Sequence, residues 1–154
     1  MATYGLPAWP WSGALVDDLP APERLLADAF RLWSHEVARG APSLPALRVL
    51  LAAEGAEAAA GPIEALLRTL ARTGHPPVLA CRLCPRLHPD EAGLLLACAL
   101  AQRGARCEAL ATLLRWLPPL TVYAAMPTAI HLGAAFRRAG LLLRHPLREA
   151  LPRR

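Results

Sequence analysis

Punctuation by proline and glycine constrains this sequence more than any other feature. Sixteen prolines and ten glycines are scattered along 154 residues. Proline fixes φ and removes a backbone donor, so a long unbroken helix or a central strand has no room between the breaks. The pieces left over are rich in Ala and Leu, with only two Ile and two Phe. Ala and Leu enter a helix at little entropic cost, whereas the β-branched residues that favour strands are scarce. The expectation is an all-α, single-domain bundle of five or six short helices. An irregular Pro- and Cys-containing connection interrupts it in the middle. The length suits one core, and an apolar fraction of 55% argues against intrinsic disorder.

The breaks also place the helices. Pro22 and Glu23 open a helix over 22–39, with Leu26, Phe30, Trp33 and Val37 as its apolar stripe and Gly40 as its stop. Ser43 is expected to cap a second helix that carries Leu47 and Leu51 and ends before Gly55. An Ala-rich connection over 56–60 leads to a third, opened by Gly61-Pro62 and stopped at Gly74. Pro89-Asp90-Glu91 begins a fourth, running over 89–103 with its acids in the first turn. A fifth is expected over 105–117. A sixth ends at Gly140, starting near Leu120 with a kink at Pro127 or starting afresh there. Residues 1–20 read as an aromatic, Pro-rich arm, 21–140 as the helical domain and 141–154 as a basic tail.

Charge is distributed unevenly. All seventeen basic residues are Arg, and the chain has no Lys or Asn, which is the mark of a GC-rich, bacterial-type composition. Residues 1–136 hold eleven Arg against eleven acids, so the net charge of +5 lies in 137–154. A basic end of this kind can meet nucleic acid, anionic lipid or an acidic protein, and short charged ends are also commonly just solvated. No secretory leader is expected, since Arg24 is the first basic residue. A membrane span is not expected either. The best candidate, 116–136, carries three prolines and His131, and reads as a buried core helix. The default location is cytoplasmic, with reduced thiols.

The residues able to do chemistry gather in one stretch. His75, Cys81, Cys84 and His88 flank and fill a segment that Pro76, Pro77 and Pro85 keep out of helix. The Cys-x-x-Cys spacing lets two thiolates reach one ion, and a His on either side could complete a tetrahedral zinc site. The same pair could cycle between dithiol and disulfide, although a redox motif normally sits between a strand and a helix, and here Pro85 follows. Cys98 and Cys107 lie at helical spacing among leucines and read as core packing. His35-Glu36 lacks the second His of a zinc-protease helix because position 39 is Arg39. No serine elbow, phosphate loop or dinucleotide fingerprint occurs, and Asp17/Asp18 and Asp90/Glu91 read as solvation and helix-start charges.

These readings lead to a non-enzymatic helical protein that binds another macromolecule, most plausibly a protein or a second copy of itself. Tyr4, Trp9 and Trp11 in the arm and Arg137, Arg138, Arg144 and Arg148 near the other end are its candidate contacts. No cofactor is required by this reading. The alternative is a metal- or redox-responsive protein built on Cys81 and Cys84, with zinc as the metal. A third reading, nucleic-acid binding through the basic tail, rests on the tail and on the Gly104 break between two short helices.

Overall fold

The structure is a computed structural model, and it describes residues 11–144. Among these residues there are six α-helices and no strand: α1 (Ala21–Ala38), α2 (Ser43–Ala52), α3 (Ala60–Ala71), α4 (Pro89–Gln102), α5 (Arg106–Leu113) and α6 (Pro119–Arg138). The all-α single-domain bundle expected from the composition is what forms. Gly40, Gly55, Gly104 and Gly140 all take positive φ just past a helix or its last turn, a conformation that costs an L-residue with a Cβ.

α4 is the centre of the bundle. Every residue from Glu91 to Gln102 is buried, as befits a helix that is apolar all round rather than along one stripe. It packs against α5, α6 and α1, while α1 also packs on α2 and α3, and α3 on α6. Phe30, Leu47, Leu51, Ile63, Leu94 and Phe136 are among the fully buried side chains of the core. Each such side chain contributes about 1.5–3 kcal/mol by leaving water. The closest approach is between α4 and α6. A Cβ added at Gly133 would stand 2.7 Å from the Gln102 Cα, so glycine is what lets the two helices meet.

Local details depart from the sequence reading in instructive ways. Ser43 is the first residue of α2 rather than its cap, and its hydroxyl donates to the Glu64 carboxylate of α3. The Ala-rich connection contains a 3₁₀ turn at Glu57–Ala59 that runs straight into α3. α5 ends at Leu113, short of the expected 117. α6 is one helix that passes through Pro127. The missing N–H there would have bonded the carbonyl of Tyr123, and Tyr123 is 66% exposed, so water can satisfy that oxygen. No helix among the described residues is long and apolar enough to cross a membrane.

Two straps finish the bundle. Residues 13–16 run against 85–87: Gly13 and Val16 donate their N–H groups to the carbonyls of Leu87 and Pro85, and Leu87 donates to that of Ala14 (3.2, 2.8 and 2.8 Å). Residues 141–144 lie along α4. Gln102 Nε2 donates to the Leu141 carbonyl and Gln102 Oε1 accepts from Leu143 N–H, both at 2.8 Å, while the Leu143 side chain is fully buried. Arg103 donates through Nε and Nη2 to the Leu143 carbonyl, and the Arg144 N–H reaches the buried Glu23 carboxylate at 2.5 Å.

Candidate functional site: a dithiol turn on a buried ion pair

The segment between α3 and α4 cannot be helix because of its prolines, so its backbone polar groups need partners from elsewhere. They find them at the start of α4. Val78 N–H donates to Asp90 Oδ2 at 2.8 Å, Ala80 N–H to Glu91 Oε1 at 3.1 Å, and His88 N–H to Glu91 Oε2 at 2.8 Å. Glu91 is fully buried, and so is its partner across the core, Arg31 of α1 at 2% exposure. The guanidinium forks onto the carboxylate, Nε to Oε1 at 2.8 Å and Nη2 to Oε2 at 2.9 Å. Its remaining donors reach back to the segment, Nη1 to the Cys84 carbonyl at 2.6 Å and Nη2 to the Arg86 carbonyl at 2.9 Å. The hydrogen bonds to Glu91 push the Arg31 pKa up against the opposing effect of burial.

A buried ion pair adds little net stability, because desolvation consumes most of the Coulomb gain. Its structural effect here is specific. Between them, Arg31 and Glu91 bind the backbone at Ala80, Cys84, Arg86 and His88. Those four positions bracket the two cysteines.

The turn they hold runs over 81–84. The Cys84 N–H donates to the Cys81 carbonyl at 3.2 Å, which closes it and brings the two side chains to one side. Cys81 is exposed and Cys84 half-buried. The neighbouring Cys84 thiol, and after it the backbone around Leu83, lowers the Cys81 thiol from its ordinary value. Cys84 is pushed the other way, chiefly because it gives its hydrogen to Cys81. The two thiols are therefore shifted in opposite directions. No disulfide joins them.

The histidines go elsewhere. His88 caps α4, its Nδ1 accepting from Asp90 N–H at 3.1 Å. His75 lines a groove of about 810 Å³ between the end of α3 and the α5–α6 connection, together with Arg72, Trp116 and Thr121. Among the described residues, no three His, Cys, Asp or Glu side chains converge as a metal-ligand group. The sequence-derived set of Cys81, Cys84, His75 and His88 thus comes together only as its two cysteines. Cys98 is buried in α4, and desolvation pushes its thiol up to about 12. Cys107, expected in the core, is exposed, because the buried face of α5 is Ala109 and Leu113.

The other candidate contacts divide. Trp11 is half-buried against the core, whereas Tyr4, Trp9 and Arg148 lie outside the described residues. Arg137 and Arg138 line a cleft of about 340 Å³ with Arg103, Arg106, Ile130 and Ala134. Arg137 also donates to the Gln102 carbonyl. The backbone of Arg144 is tied to Glu23.

The sequence reading missed Arg31, Arg103 and Arg106. Arg31 carried a faint signal, since it follows Phe30 on a helix whose other face already had its surface charges. Arg103 and Arg106 flank Gly104, which only the packing of α4, α5 and α6 brings beside the end of α6.

No protein-family model matches the chain, and neither the curated proteins nor the solved structures contain a match to it.

Proposed function

We propose that the chain is a thiol-site protein that binds a soft or borderline metal ion, of which zinc is the first choice, through Cys81 and Cys84. The observation that carries this reading is the buried Arg31–Glu91 pair, whose spare hydrogen-bonding capacity is spent on the backbone bracketing an exposed dithiol turn. The pair satisfies the backbone of the connection and at the same time fixes the turn with Cys81 exposed. The thiolate is the metal-binding form, and the Cys81 thiol is shifted in that direction. Metal is favoured over dithiol–disulfide cycling because the turn leads into Pro85 and an irregular segment, without the helix N-terminus that poises a redox cysteine.

The test is metal content under reducing conditions. The full chain is loaded with Zn²⁺, desalted and assayed beside the Cys81→Ser/Cys84→Ser double variant. Zinc retained by the first and lost by the second, with both equally helical, is the expected result. Retention below about a tenth of an equivalent in both, the level of contamination, overturns the reading.

A second reading has its own observation. The cleft lined by Arg103, Arg106, Arg137 and Arg138 is also lined by Ile130 and Ala134. A lining that mixes cationic and apolar side chains suits an acidic, amphipathic protein segment better than a bare phosphate backbone. Arg106→Glu/Arg138→Glu should abolish binding of an acidic amphipathic peptide. Equal binding by the variant contradicts it.

A further inference from the structure

Structural zinc held by thiolates is four-coordinate, and the 81–84 turn brings two sulfurs. Among the described residues no third His, Cys, Asp or Glu is placed to join them, and His88, the nearest candidate in sequence, already caps α4. Beyond the described residues, the sphere is open to completion by water or by another molecule.

Three observations decide between these. First, the approach is open. Leu83 at the tip of the turn is 93% exposed, and Cys81 and Arg82 are exposed beside it. Among the described residues, no element covers the tip of the turn. Second, the turn is braced. Arg31 binds the Cys84 and Arg86 carbonyls, and Glu91 binds the Ala80 and His88 N–H groups. Two such turns can meet with little loss of backbone freedom, which keeps the entropic cost of association down. Third, the charges match. A zinc ion with four thiolates carries two negative charges. Around each turn stand Arg82 and Arg86, with Asp28 facing Arg82 across a small cleft. That leaves one net positive charge per chain, so two chains offset the tetrathiolate. With two thiolates and two waters the metal centre is neutral, and the positive charges have nothing to answer.

We infer that the 81–84 turns of two copies of this chain close on one Zn²⁺ ion, four cysteine sulfurs forming the tetrahedron and the metal holding the dimer together. The inference rests on the thiol-site reading above and adds the missing half of the coordination sphere. On binding, Cys81 and Cys84 of both copies lose their protons to solvent, and four Zn–S bonds replace the Zn–O bonds to the ion's waters, which are released; no electrons are transferred. The arrangement is two-fold symmetric, with the same turn offered by each copy. Leu83 of each copy then lies beside the metal centre, shielding it from water.

The experiment measures zinc per chain and molecular mass together, on the full reduced chain, with Zn²⁺ alone as the probe. The expected result is about half an equivalent of zinc per chain, the stoichiometry of a shared tetrahedral site. With it, the mass doubles from the 16.5 kDa of one chain and returns to that value when a chelator is added. Cys84→Ser should lose both signals while keeping its helical spectrum. Leu83→Glu keeps all four sulfurs but sets two carboxylates face to face, and should weaken the zinc-dependent dimer by about tenfold or more through like-charge repulsion. One equivalent of zinc on a monomer overturns the inference and leaves the thiol-site reading standing. A dimer that forms without zinc also overturns it. Failure of the reduced chain to hold zinc at all overturns both.

Discussion

The segment over 75–88 and helix α4 adjoin in sequence and differ in almost every physical respect. The segment has no helix and an exposed thiol at Cys81, which local hydrogen bonds draw below its usual pKa. α4 is buried along its whole length from Glu91, and its thiol at Cys98 is pushed up to about 12. The same side chain is exposed and shifted toward ionisation in one place, and buried and held as a thiol in the other. The difference lies in the backbone. The helix satisfies its own polar groups and can be sunk into the core, whereas the proline-broken segment must borrow partners. Glu91 belongs to both regions, since it starts the buried helix and supplies the acceptor that organises the exposed turn.

The comparison breaks most severely at the ion pair. Arg31→Ala leaves Glu91 charged and buried, and should cost about 3–5 kcal/mol in a denaturant titration, as expected for orphaning a buried charge. Replacing both partners, Arg31→Met with Glu91→Leu, removes that charge but also orphans the N–H groups of Ala80 and His88 and the carbonyls of Cys84 and Arg86. The double variant should therefore recover only part of the loss. Full recovery would show that the pair does not organise the segment.

A smaller effect separates the two thiols. Cys98→Ser buries a hydroxyl among leucines and should destabilise by about 1–3 kcal/mol. Cys81→Ser should leave the unfolding midpoint unchanged, because that side chain is exposed. Equal losses at the two sites would contradict the contrast drawn between them.

The smallest effect concerns pH. Burial raises the carboxyl pKa of Glu23 and of Asp28 above their ordinary values of 4.5 and 3.8. For Glu23 the desolvation outweighs the Arg144 backbone bond and the charges of Arg144 and Arg103. A raised folded-state pKa means that the unfolded chain ionises first. Stability from these groups is thus full below the ordinary carboxyl range and falls as pH rises through the raised values. Glu23→Gln should flatten that fall and gain on the wild type at neutral pH. An unchanged pH profile would show that the Glu23 carboxyl does not titrate differently on folding.

Much of this arrangement was legible in the residues, and the reasons are local. Gly40, Gly55, Gly104 and Gly140 ended helices where expected because each supplies the left-handed residue that a helix exit needs. Cys81 and Cys84 were recognised because their spacing alone sets their proximity. Reading failed where tertiary contacts decide. Glu91 looked like a helix-start charge and is one, but its burial depends on Arg31, sixty positions away. Cys107 fell on an apolar stripe with Leu110 and Leu114, yet the face of α5 that meets the bundle lies one residue before those leucines, at Ala109 and Leu113. The end of α5 was placed too late for a related reason: Trp116 and Leu117 are buried from a turn rather than from helix. The basic cleft was half seen, since Arg137 and Arg138 announced themselves by number whereas Arg103 and Arg106 join them only in three dimensions.

Site-resolved alkylation of the reduced chain, with and without Zn²⁺, tests the central claim most directly. The exposed Cys107 serves as an internal reference and the buried Cys98 as a blank. Zinc at Cys81 and Cys84 predicts that the ion slows labelling of those two sulfurs while Cys107 reacts at an unchanged rate. Labelling of Cys81 and Cys84 that zinc leaves untouched, or slows no more than that of Cys107, would contradict it.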